Sequence, residues 1–576
     1  MNSMYVDPIS EEILRGMGEP TTFTGLLVRA CELLSSDYYK NALDMEEMRI
    51  CGYERMAGAV YSELVKSMRI HNSKVIKTNS SIELNPFAVW KFINEDPAKI
   101  TVDELNPVIN LKEIEAVTFN GNNGRASQAM TRADRRFHPH DTGVISESTV
   151  DSGEVAVNTY MVPDPQFTSL RGTTAVTDLS VAKGAKLAST SAMLSPACDQ
   201  DSAQRVNMIG IQQAHSIACE GYETPAIRTG YEHVLAQRVS STFAKPASKS
   251  GTVVSIDKHG MKVKYDDGTE EGFTIGRSYG KSASLIVPHD LVPNFKVGEK
   301  FNAGDVLMYN DGFFAPDPFM KGSVIWKNYI IARVALMESR QTHEDACAIS
   351  QKLAEKMRAK TTKIKEVVIE FKQSVREIRH EGETVSHDDV LCYIEDQTTA
   401  DAGMFNADTL DTLKRLSGQS PRAKVDGVIE RIEVYYNGDI EDMSESLRAI
   451  TLASDAAMAK RARQAGKPPL TGATDSSYRV KGNPLQLDTL VIRFFITGEV
   501  IAGVGDKGVF SNQLKTVISE VMDYDVETES GLPVDAIFGA QSVFNRIVNS
   551  AFVIGTTNTL LDIIGKKAAE IYFDKK

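Results

Sequence analysis

A ten-residue pattern occurs twice and restricts what the middle of the chain can fold into. Residues 298–307 read GEKFNAGDVL and residues 382–391 read GETVSHDDVL, so Gly, Glu, Asp, Val and Leu recur in register. The leading glycine permits a tight turn, and Val-Leu begins a buried strand. The repeat therefore predicts two related β segments, and it is typical of barrel-sandwich hybrid domains.

Domains of that kind also carry biotin or lipoate, which makes a carrier or binding module one alternative. A carrier needs an exposed lysine on a hairpin between its two halves. The two copies stand in different sequence contexts, and neither is accompanied by an evident carrier lysine. This absence argues against the carrier interpretation.

The periodicity of apolar residues divides the chain into helical and β-rich parts. Asp266-Asp267-Gly268 is a hairpin signal inside the most strongly alternating stretch. We predict helices in 9–70 and 440–465, irregular structure with short strands in 111–250, β structure in 251–335 and 484–546, and an amphipathic helix over the last 25 or so residues.

Composition excludes several classes of protein. With 576 residues, 42% hydrophobic and 24% charged, the chain fits a soluble multi-domain protein. Its net charge of −13 argues against general electrostatic binding of nucleic acid, so any such contact needs a local basic face, and we expect the isolated chain to bind DNA weakly. Six widely spaced cysteines without a CxxC pair predict no zinc ribbon or redox dithiol. We expect no signal peptide and no membrane contact.

Several short motifs then follow one another in a fixed order. None of them is specific alone, because each consists of a few common residues. In chain order they are FHPHDTG at 137–143, DQDSAQR at 199–205, PAIRTGYE at 225–232, GDVL at 304–307, HEDA at 343–346, GEVIAGVGDKG at 498–508, PVD at 533–535, and Arg546.

Together these motifs resemble the β (second-largest) subunit of multisubunit DNA-directed RNA polymerases. In that family the same order reads HPTHYG, DDANR, PLVGTGME, GDVL, (Y/F)EDA, GDKxAGRHGNKG, and PVD followed by an arginine. The resemblance covers roughly residues 80–550 of this sequence. A cellular β subunit is roughly twice as long, so we expect a C-terminal fragment of a split β subunit, similar to those of giant-genome (jumbo) tailed bacteriophages.

The resemblance implies a mixed α/β multi-domain fold with double-psi β-barrel, barrel-sandwich hybrid and flap domains. The helix expected near Thr409–Leu416 would be a flap-tip helix that docks a specificity factor, or part of a core. The expected domains are a helical lobe and fork-proximal region (1–110), the fork and first catalytic part (111–250), barrel-sandwich hybrid and double-psi strands (251–350), a flap-like domain (351–480), and the completion of the double-psi barrel with a C-terminal helix (481–576).

RNA polymerisation is an in-line phosphoryl transfer assisted by two divalent metals. In the family, a DFDGD loop of the partner β′ subunit holds the principal Mg²⁺, and this chain has no DFDGD. We therefore expect activity only in a complex, in the cytoplasm of an infected host or packaged in the virion. The implied partners are an N-terminal β fragment, β′ fragments, a promoter-specificity factor, template DNA, the RNA transcript and nucleoside triphosphates.

Glu344 and Asp345 match the family's acidic pair, which faces the second Mg²⁺ directly or through water. On an extended segment, adjacent side chains point opposite ways, so only one would reach the ion directly. The alternative is a solvated pair at a helix start.

Arg205 and Arg546 match two family arginines that grip the incoming triphosphate, where a guanidinium fits phosphate oxygens. Ordinary salt-bridged surface arginines are the alternative. Lys507 matches the second lysine of the GDK motif, near the RNA 3′ end and the template phosphates. The position of the first lysine is Val500 here, so one expected charge is lost.

Two runs of basic residues receive opposite interpretations. The first matches the fork region and is expected to contact nucleic-acid phosphates, with a solvated charge run as the alternative; it consists of Arg125, Arg132, Arg135 and Arg136. The second is interpreted as a solvated helix end; it consists of Lys460, Arg461, Arg463 and Lys467.

A different class of function remains as the alternative to a polymerase subunit. The chain could be a structural or injected virion protein built on a polymerase-derived fold. Retention of charged residues at the motif positions argues against such decay, because a structural protein has no use for them.

Overall fold

The computed structural model describes residues 6, 8–35, 52–74, 82–96, 99–121, 124–168, 180, 182–395 and 419–573. The chain divides into two compact units. Unit 1 contains Met1–Val102 and Lys112–Ile211, and unit 2 contains Asp103–Leu111 and Gln212–Lys576. Both helices and sheets occur, so the predicted mixed α/β, multi-domain class is confirmed.

Unit 1 is mainly helical. Leu14, Leu26 and Val6 form a small core under its first helices, with Leu26 and Ala30 one turn apart on the same buried face. The helices are α1 (Pro8–Gly16), α2 (Phe23–Ser35), α3 (Gly52–Lys74), α4 (Pro86–Asn94), α5 (Pro107–Glu115, which starts in unit 2), α6 (Thr190–Met193) and α7 (Ala203–Ala214, which ends in unit 2).

Three short antiparallel strands complete unit 1. They are β1 (Ala116–Thr118), β2 (Ile145–Thr149) and β3 (Asn158–Met161), in the order β1-β3-β2. The predictions of helices in 9–70 and of short strands in 111–250 are therefore confirmed where the chain is described.

Unit 2 begins with a β-rich part, as predicted for 251–335. The Asp266-Asp267-Gly268 turn joins two antiparallel strands, and Gly268 has a φ of +86°, which explains the glycine. The strands are β4 (Ala244–Pro246), β5 (Gly251–Ile256), β6 (Gly260–Tyr265), β7 (Glu270–Thr274), β8 (Gly276–Ser282), β9 (Leu285–Pro293), β10 (Lys300–Phe301), β11 (Val306–Asn310), β12 (Phe314–Pro316) and β13 (Val324–Trp326).

The rest of unit 2 adds further strands and, among the residues that the structure describes, five helices. The strands are β14 (Val334–Leu336), β15 (Ala346–Ser350), β16 (Ala359–Glu370), β17 (Ser374–Arg376), β18 (Thr384–Val385), β19 (Tyr393–Glu395), β20 (Gly427–Asn437), β21 (Arg479–Val480), β22 (Asn483–Pro484), β23 (Thr489–Val500), β24 (Lys507–Phe510), β25 (Leu514–Met522) and β26 (Ala536–Phe538). The helices are α8 (Leu235–Arg238), α9 (Gln351–Lys356), α10 (Glu445–Gln464), α11 (Ala540–Phe544) and α12 (Asn549–Tyr572).

Three larger sheets organise these strands. One has the order β10-β5-β6-β7, and the largest has the order β18-β20-β23-β16-β9-β11-β4, with β8 also paired to β9. The third has the order β14-β26-β15-β25-β24. In the described part of the chain, the strands of each sheet follow an open order, and no sheet closes into a barrel. The double-psi barrel, barrel-sandwich hybrid and flap assignments and the domain boundaries therefore stay predictions.

The sequence repeat is also a structural repeat. Gly298 and Gly382 have φ values of +83° and +92°, and six residues later Gly304 and Asp388 have +88° and +71°. The backbone hydrogen bonds recur in pairs: Gly298 N to Val253 O (2.8 Å) with Gly382 N to Ile429 O (2.7 Å), Asn302 N to Asp305 Oδ2 (2.7 Å) with Ser386 N to Asp389 Oδ2 (2.8 Å), and Ala247 N to Asp305 O (2.8 Å) with Ala423 N to Asp389 O (2.8 Å).

Each copy also pairs with a strand that begins with glycine. Phe301 lies opposite Gly251, and Val385 lies opposite Gly427. The partner strand precedes the repeat in the first copy and follows it in the second. The similarity therefore extends well beyond the ten residues that the sequence comparison detects.

The helices predicted for 440–465 and for the last 25 or so residues are both present. α10 buries one face through Leu447, Met458 and Ala462, so it is exposed on one side only. In α12, Ser550 is the only buried residue that the structure describes, and Leu560, Ile563 and Ile564 are 54%, 58% and 61% exposed. No helix in the described ranges is long and apolar enough to cross a membrane. The predicted helix at Thr409–Leu416 lies outside the described residues.

Candidate active site and basic surface

The sheet β14-β26-β15-β25-β24 positions four of the five predicted catalytic and nucleotide-binding residues, namely Glu344, Asp345, Lys507 and Arg546. β15 runs parallel to β25 and antiparallel to β26, and β24 pairs antiparallel with β25. Its core is apolar, with Cys347, Ile518 and Phe538 each nearly fully buried. The residues before β15, at the start of β24 and after β26 therefore sit on a packed scaffold.

Asp345 and Arg546 form a two-point ion pair. Arg546 Nη1 lies 2.7 Å from Asp345 Oδ1, and Arg546 Nη2 lies 2.8 Å from Asp345 Oδ2. Arg546 Nη1 also donates to the carbonyl of Ser542, at 2.9 Å. The two side chains are 46% and 30% exposed, so the pair is accessible to a ligand. This parallel geometry fixes the guanidinium plane.

Buried hydroxyls hold the backbone beside this pair. Thr516 Oγ1 donates to the carbonyl of Asp345 at 2.7 Å, and the amide of Val517 donates to the same oxygen at 3.0 Å. Ser542 Oγ donates to the carbonyl of Glu344. Neither hydroxyl was predicted as part of the site, because nothing in the sequence distinguishes a serine or threonine that anchors backbone from any other.

Glu344 differs from the expectation of an extended segment. Its φ is +54°, in the left-handed region that residues other than glycine seldom adopt, so the argument that the two carboxylates point opposite ways as on a strand does not hold. Its side chain is exposed, and among the described residues it has no hydrogen bond or ion pair. The two neighbouring carboxylates thus have different environments, since Asp345 is engaged and Glu344 is open.

Lys507 lies in the same sheet, two strands away from Ala346, the residue that follows Asp345. Ala346 is paired with Val517, and Val517 is paired with Lys507 on its other side. Two strand spacings, about 10 Å, therefore separate the backbone of Lys507 from the end of β15 that carries Asp345. The preceding turn requires glycine at Gly505, whose φ is +95°. Val500 is half exposed at the end of β23.

The PVD motif has a structural role that sequence reasoning missed. Asp535 Oδ2 accepts from the amide of Arg333 at 2.7 Å, and the carbonyl of Asp535 accepts from the amide of Ser350 at 2.8 Å. These bonds fasten the strand β26 to its neighbours and so fix the start of α11, which leads to Arg546.

Arg205 belongs to unit 1, whereas Glu344, Asp345, Lys507 and Arg546 belong to unit 2. It is half-buried in the first turn of α7, where its amide donates to the carbonyl of Ser202 at 2.9 Å. Its predicted role with the triphosphate stays a prediction.

The predicted basic run at the fork divides into two kinds of arginine. Arg135 donates to the carbonyls of Gly153 (2.8 Å), Val155 (3.0 Å) and Ser127 (2.7 Å), so it holds loops together, and Arg125 pairs with Asp134 at 3.2 Å. Arg132 and Arg136 are exposed, and neither guanidinium has a hydrogen bond or ion pair among the described residues.

A cavity of about 440 Å³ lies at this run in unit 1. Its lining includes Arg132, Arg135 and Arg136 together with Val155 and Ala156. An open cavity with two unengaged guanidiniums is compatible with binding a phosphate.

The described residues of this chain do not form a complete magnesium site by themselves. No group of three or more His, Cys, Asp or Glu side chains in the described ranges is arranged to hold a metal ion. Glu344 fits as a single carboxylate ligand, which an ion with other ligands from elsewhere can use.

Comparison with known proteins relates one part of the chain to a family. The family model described as Bacteriophage RNA polymerase matches residues 1–128. No curated protein matches the chain. The match contains Arg125 and ends before the other predicted site residues. Over these residues the chain is similar to the phage RNA polymerase family, and this similarity points to phage transcription and to polymerase activity in general.

Proposed function

We propose that this chain is a subunit of a multisubunit DNA-dependent RNA polymerase of a phage, equivalent to the C-terminal part of a split β subunit. It binds nucleotide and nucleic acid beside catalytic aspartates that a partner β′ chain supplies. The polymerase-family match over residues 1–128 supports the general class, and the arrangement in unit 2 supports the finer role.

One observation carries the proposal. Three motifs that are far apart in the sequence supply Asp345, Lys507 and Arg546; Asp345 and Arg546 are in contact, and Lys507 lies two strands away in the same sheet. An acidic pair, a lysine and an oriented arginine at one accessible place match what a triphosphate and a metal ion need. Arg546 and Lys507 neutralise phosphate oxygens, and Glu344 faces a cation.

The geometry favours a division of work between the two carboxylates. Asp345 orients Arg546, and Glu344 is the residue of the pair that would hold the second Mg²⁺, which when bound polarises the phosphates. Since Asp345 occupies two guanidinium nitrogens, a phosphate meets the remaining donors of Arg546 or displaces Asp345. Arg205, Arg132 and Arg136 are proposed to add contacts to triphosphate and nucleic acid.

Further partners follow from the same proposal. A DFDGD-bearing β′ fragment, an N-terminal β fragment and a promoter-specificity factor would complete the enzyme, which acts on template DNA, the RNA transcript and nucleoside triphosphates. It would act in the cytoplasm of the infected host, whether newly made or delivered with the virion.

Co-expression with a chain that contains DFDGD tests this proposal. The purified complex should extend an RNA primer on a DNA template with Mg²⁺, and Arg546→Ala should raise the apparent KM for nucleotides. Arg358→Ala is the matched control, because Arg358 forms a comparable exposed ion pair with Glu499, at 3.0 Å, on another sheet of unit 2.

If Arg546→Ala and Arg358→Ala have the same KM as the wild-type complex, the assigned nucleotide site is wrong. If no DFDGD-bearing chain assembles with this one, the subunit role is wrong, and a virion structural protein becomes the better explanation.

A further inference from the structure

A second cationic cavity lies in unit 2, built from residues that have no part in the proposed active site. Its volume is about 380 Å³. We call it the arginine cleft, and its defining residues are Arg277, Tyr279, Arg431, Arg461, Arg493 and Phe495.

The alternation of strand side chains creates this cleft. Arg277 and Tyr279 are two residues apart on β8, and Arg493 and Phe495 are two residues apart on β23, so each pair faces one side of the sheet. Arg431 on β20 lies directly opposite Phe495.

Arg461 reaches the cleft from α10, and its side chain is only 20% exposed. The interpretation of the 460–467 run as a solvated helix end is therefore wrong for Arg461. Lys460, Arg463 and Lys467 are exposed.

The carboxylates are shared unevenly among the four arginines. Arg277 forms ion pairs with two carboxylates, those of Asp290 at 2.7 Å and Glu430 at 3.0 Å. A single oxygen of Glu433, Oε1, lies 3.6 Å from Arg431 and 3.4 Å from Arg461, so two guanidiniums share it.

Arg493 Nε is buried 3.4 Å from Glu366 Oε1 without a hydrogen bond, and the guanidinium also interacts with Tyr478. Two lysines at the rim, Lys281 and Lys467, add positive charge. Because this Nε is inaccessible, an anion entering the cleft would meet the outer guanidinium nitrogens of the arginines.

Burial and a neighbouring cation disfavour the charge of Arg461. The four arginine side chains are between 18% and 21% exposed. Burial, followed by the charge of Arg431, lowers the pKa of Arg461. Burial and the nearby cations also lower the pKa of His259, which lines the cleft.

Aromatic rings fix the guanidinium planes. Arg431 lies 4.9 Å from the ring centre of Tyr279, and Arg493 lies 5.3 Å from that of Phe495. The two rings are themselves 4.6 Å apart. Layers of arginine and aromatic side chains are the surfaces on which nucleic-acid bases stack.

We propose that the arginine cleft binds a nucleotide unit, with its phosphate on the arginines and its base against the arginine–aromatic layers. The volume suits a single nucleotide. The unit can come from a free nucleotide or from a single nucleic-acid strand, and these two sources are distinguished by experiment. The inference is independent of the polymerase proposal, because binding requires neither a partner chain nor catalysis.

Binding is measured on the full chain by fluorescence anisotropy with two probes, a fluorescein-labelled 12-residue oligouridylate and a fluorescent ATP analogue. Preference for the oligouridylate assigns the site to a strand, and preference for the ATP analogue assigns it to a free nucleotide. Hydrogen exchange should slow in residues 276–282 and 427–437 when the preferred probe binds.

Two kinds of variant are expected to change the affinity for the probe in opposite directions. Arg431→Gln with Arg461→Gln should weaken binding about tenfold and, for the strand, reduce the salt slope by roughly 1.4. Glu433→Gln removes the shared carboxylate and should tighten binding about threefold. Lys321→Gln with Arg358→Gln is the control, because it removes two charges from unit 2 outside the cleft.

If the double cleft variant binds both probes as the control does, the proposal is wrong. Should that variant fail to fold, Glu433→Gln decides alone, since unchanged or weaker binding contradicts the proposal. Absence of exchange protection at the cleft would also contradict it.

Discussion

The guanidinium of Arg546 and the carboxylate of Asp345, 201 positions apart in the chain, face each other through two parallel hydrogen bonds of 2.7 and 2.8 Å. Each residue has its own expected ligand, a triphosphate for Arg546 and a metal ion for Asp345. Their pairing means that a change at Asp345 acts on phosphate binding through Arg546.

Asp345→Asn and Glu344→Gln should therefore differ in kind. In the reconstituted complex, Asp345→Asn should raise the apparent KM for nucleotides about tenfold, because Arg546 loses a charged, two-point partner. Glu344→Gln should instead raise the Mg²⁺ concentration needed for half-maximal rate. Titrations of nucleotide and of Mg²⁺ measure the two effects, and identical behaviour of both variants would contradict the division of work.

In the basic run of residues 125–136, Arg132 and Arg136 should bind nucleic acid, whereas Arg135 should stabilise the fold. Arg132→Ala with Arg136→Ala should weaken nucleic-acid binding and reduce its salt dependence while leaving thermal stability unchanged. Arg135→Ala should lower the stability of unit 1 by about 1–3 kcal/mol, because its guanidinium bonds three backbone carbonyls. Thermal unfolding and anisotropy measure these effects, and a stability loss in the first variant would refute the separation.

Local patterns predicted the elements of this fold well. The hairpin at Gly268, the helix over 440–465 and the β-rich 251–335 follow from turn chemistry and periodicity, which act over a few residues. The environment of Arg461 did not follow, because burial of a helix end depends on strands elsewhere in the chain.

The candidate site shows the same limit. Sequence motifs identified Asp345, Lys507 and Arg546, but their placement in one sheet depends on the order of its strands. The left-handed backbone of Glu344 and the anchoring role of Thr516 carry no local signature, since both are imposed by tertiary contacts.

The structural repeat predicts unequal effects at its equivalent positions. Gly304→Ala should destabilise unit 2 by about 1–2 kcal/mol, because a side chain at φ +88° is strained even though the surrounding space is open. Asp388→Gly should change stability by less than about 1 kcal/mol, as strain relief and unfolded-state entropy offset each other. Urea unfolding measures both, and a larger loss for Asp388→Gly would contradict the equivalence.

Lys112 predicts a pH dependence of stability in unit 1. It is 5% exposed beside Tyr160, and burial lowers its pKa to about 8 from 10.5, against the opposing effect of Glu147 and Glu115. The unfolded chain binds this proton more tightly, so stability should rise as pH increases from about 8 to 10.5. At pH 7 the buried charge costs about 3 kcal/mol.

Lys112→Met should therefore stabilise unit 1 at pH 7, with a gain that shrinks by pH 9.5. Urea unfolding at both pH values measures the gain. Lys183→Met, at an exposed lysine of the same unit, is the control and should change little. A less stable Lys112→Met protein at pH 7 would show that the charge is compensated in the fold.

The most direct test of the central claim is a cryo-EM structure of the complex with a DFDGD-bearing chain, primed with RNA and DNA and holding Mg²⁺ and a non-hydrolysable nucleoside triphosphate. The account predicts the triphosphate in contact with Arg546, Glu344 facing the second ion, and Lys507 near the RNA 3′ end. A nucleotide bound far from all three residues would contradict it.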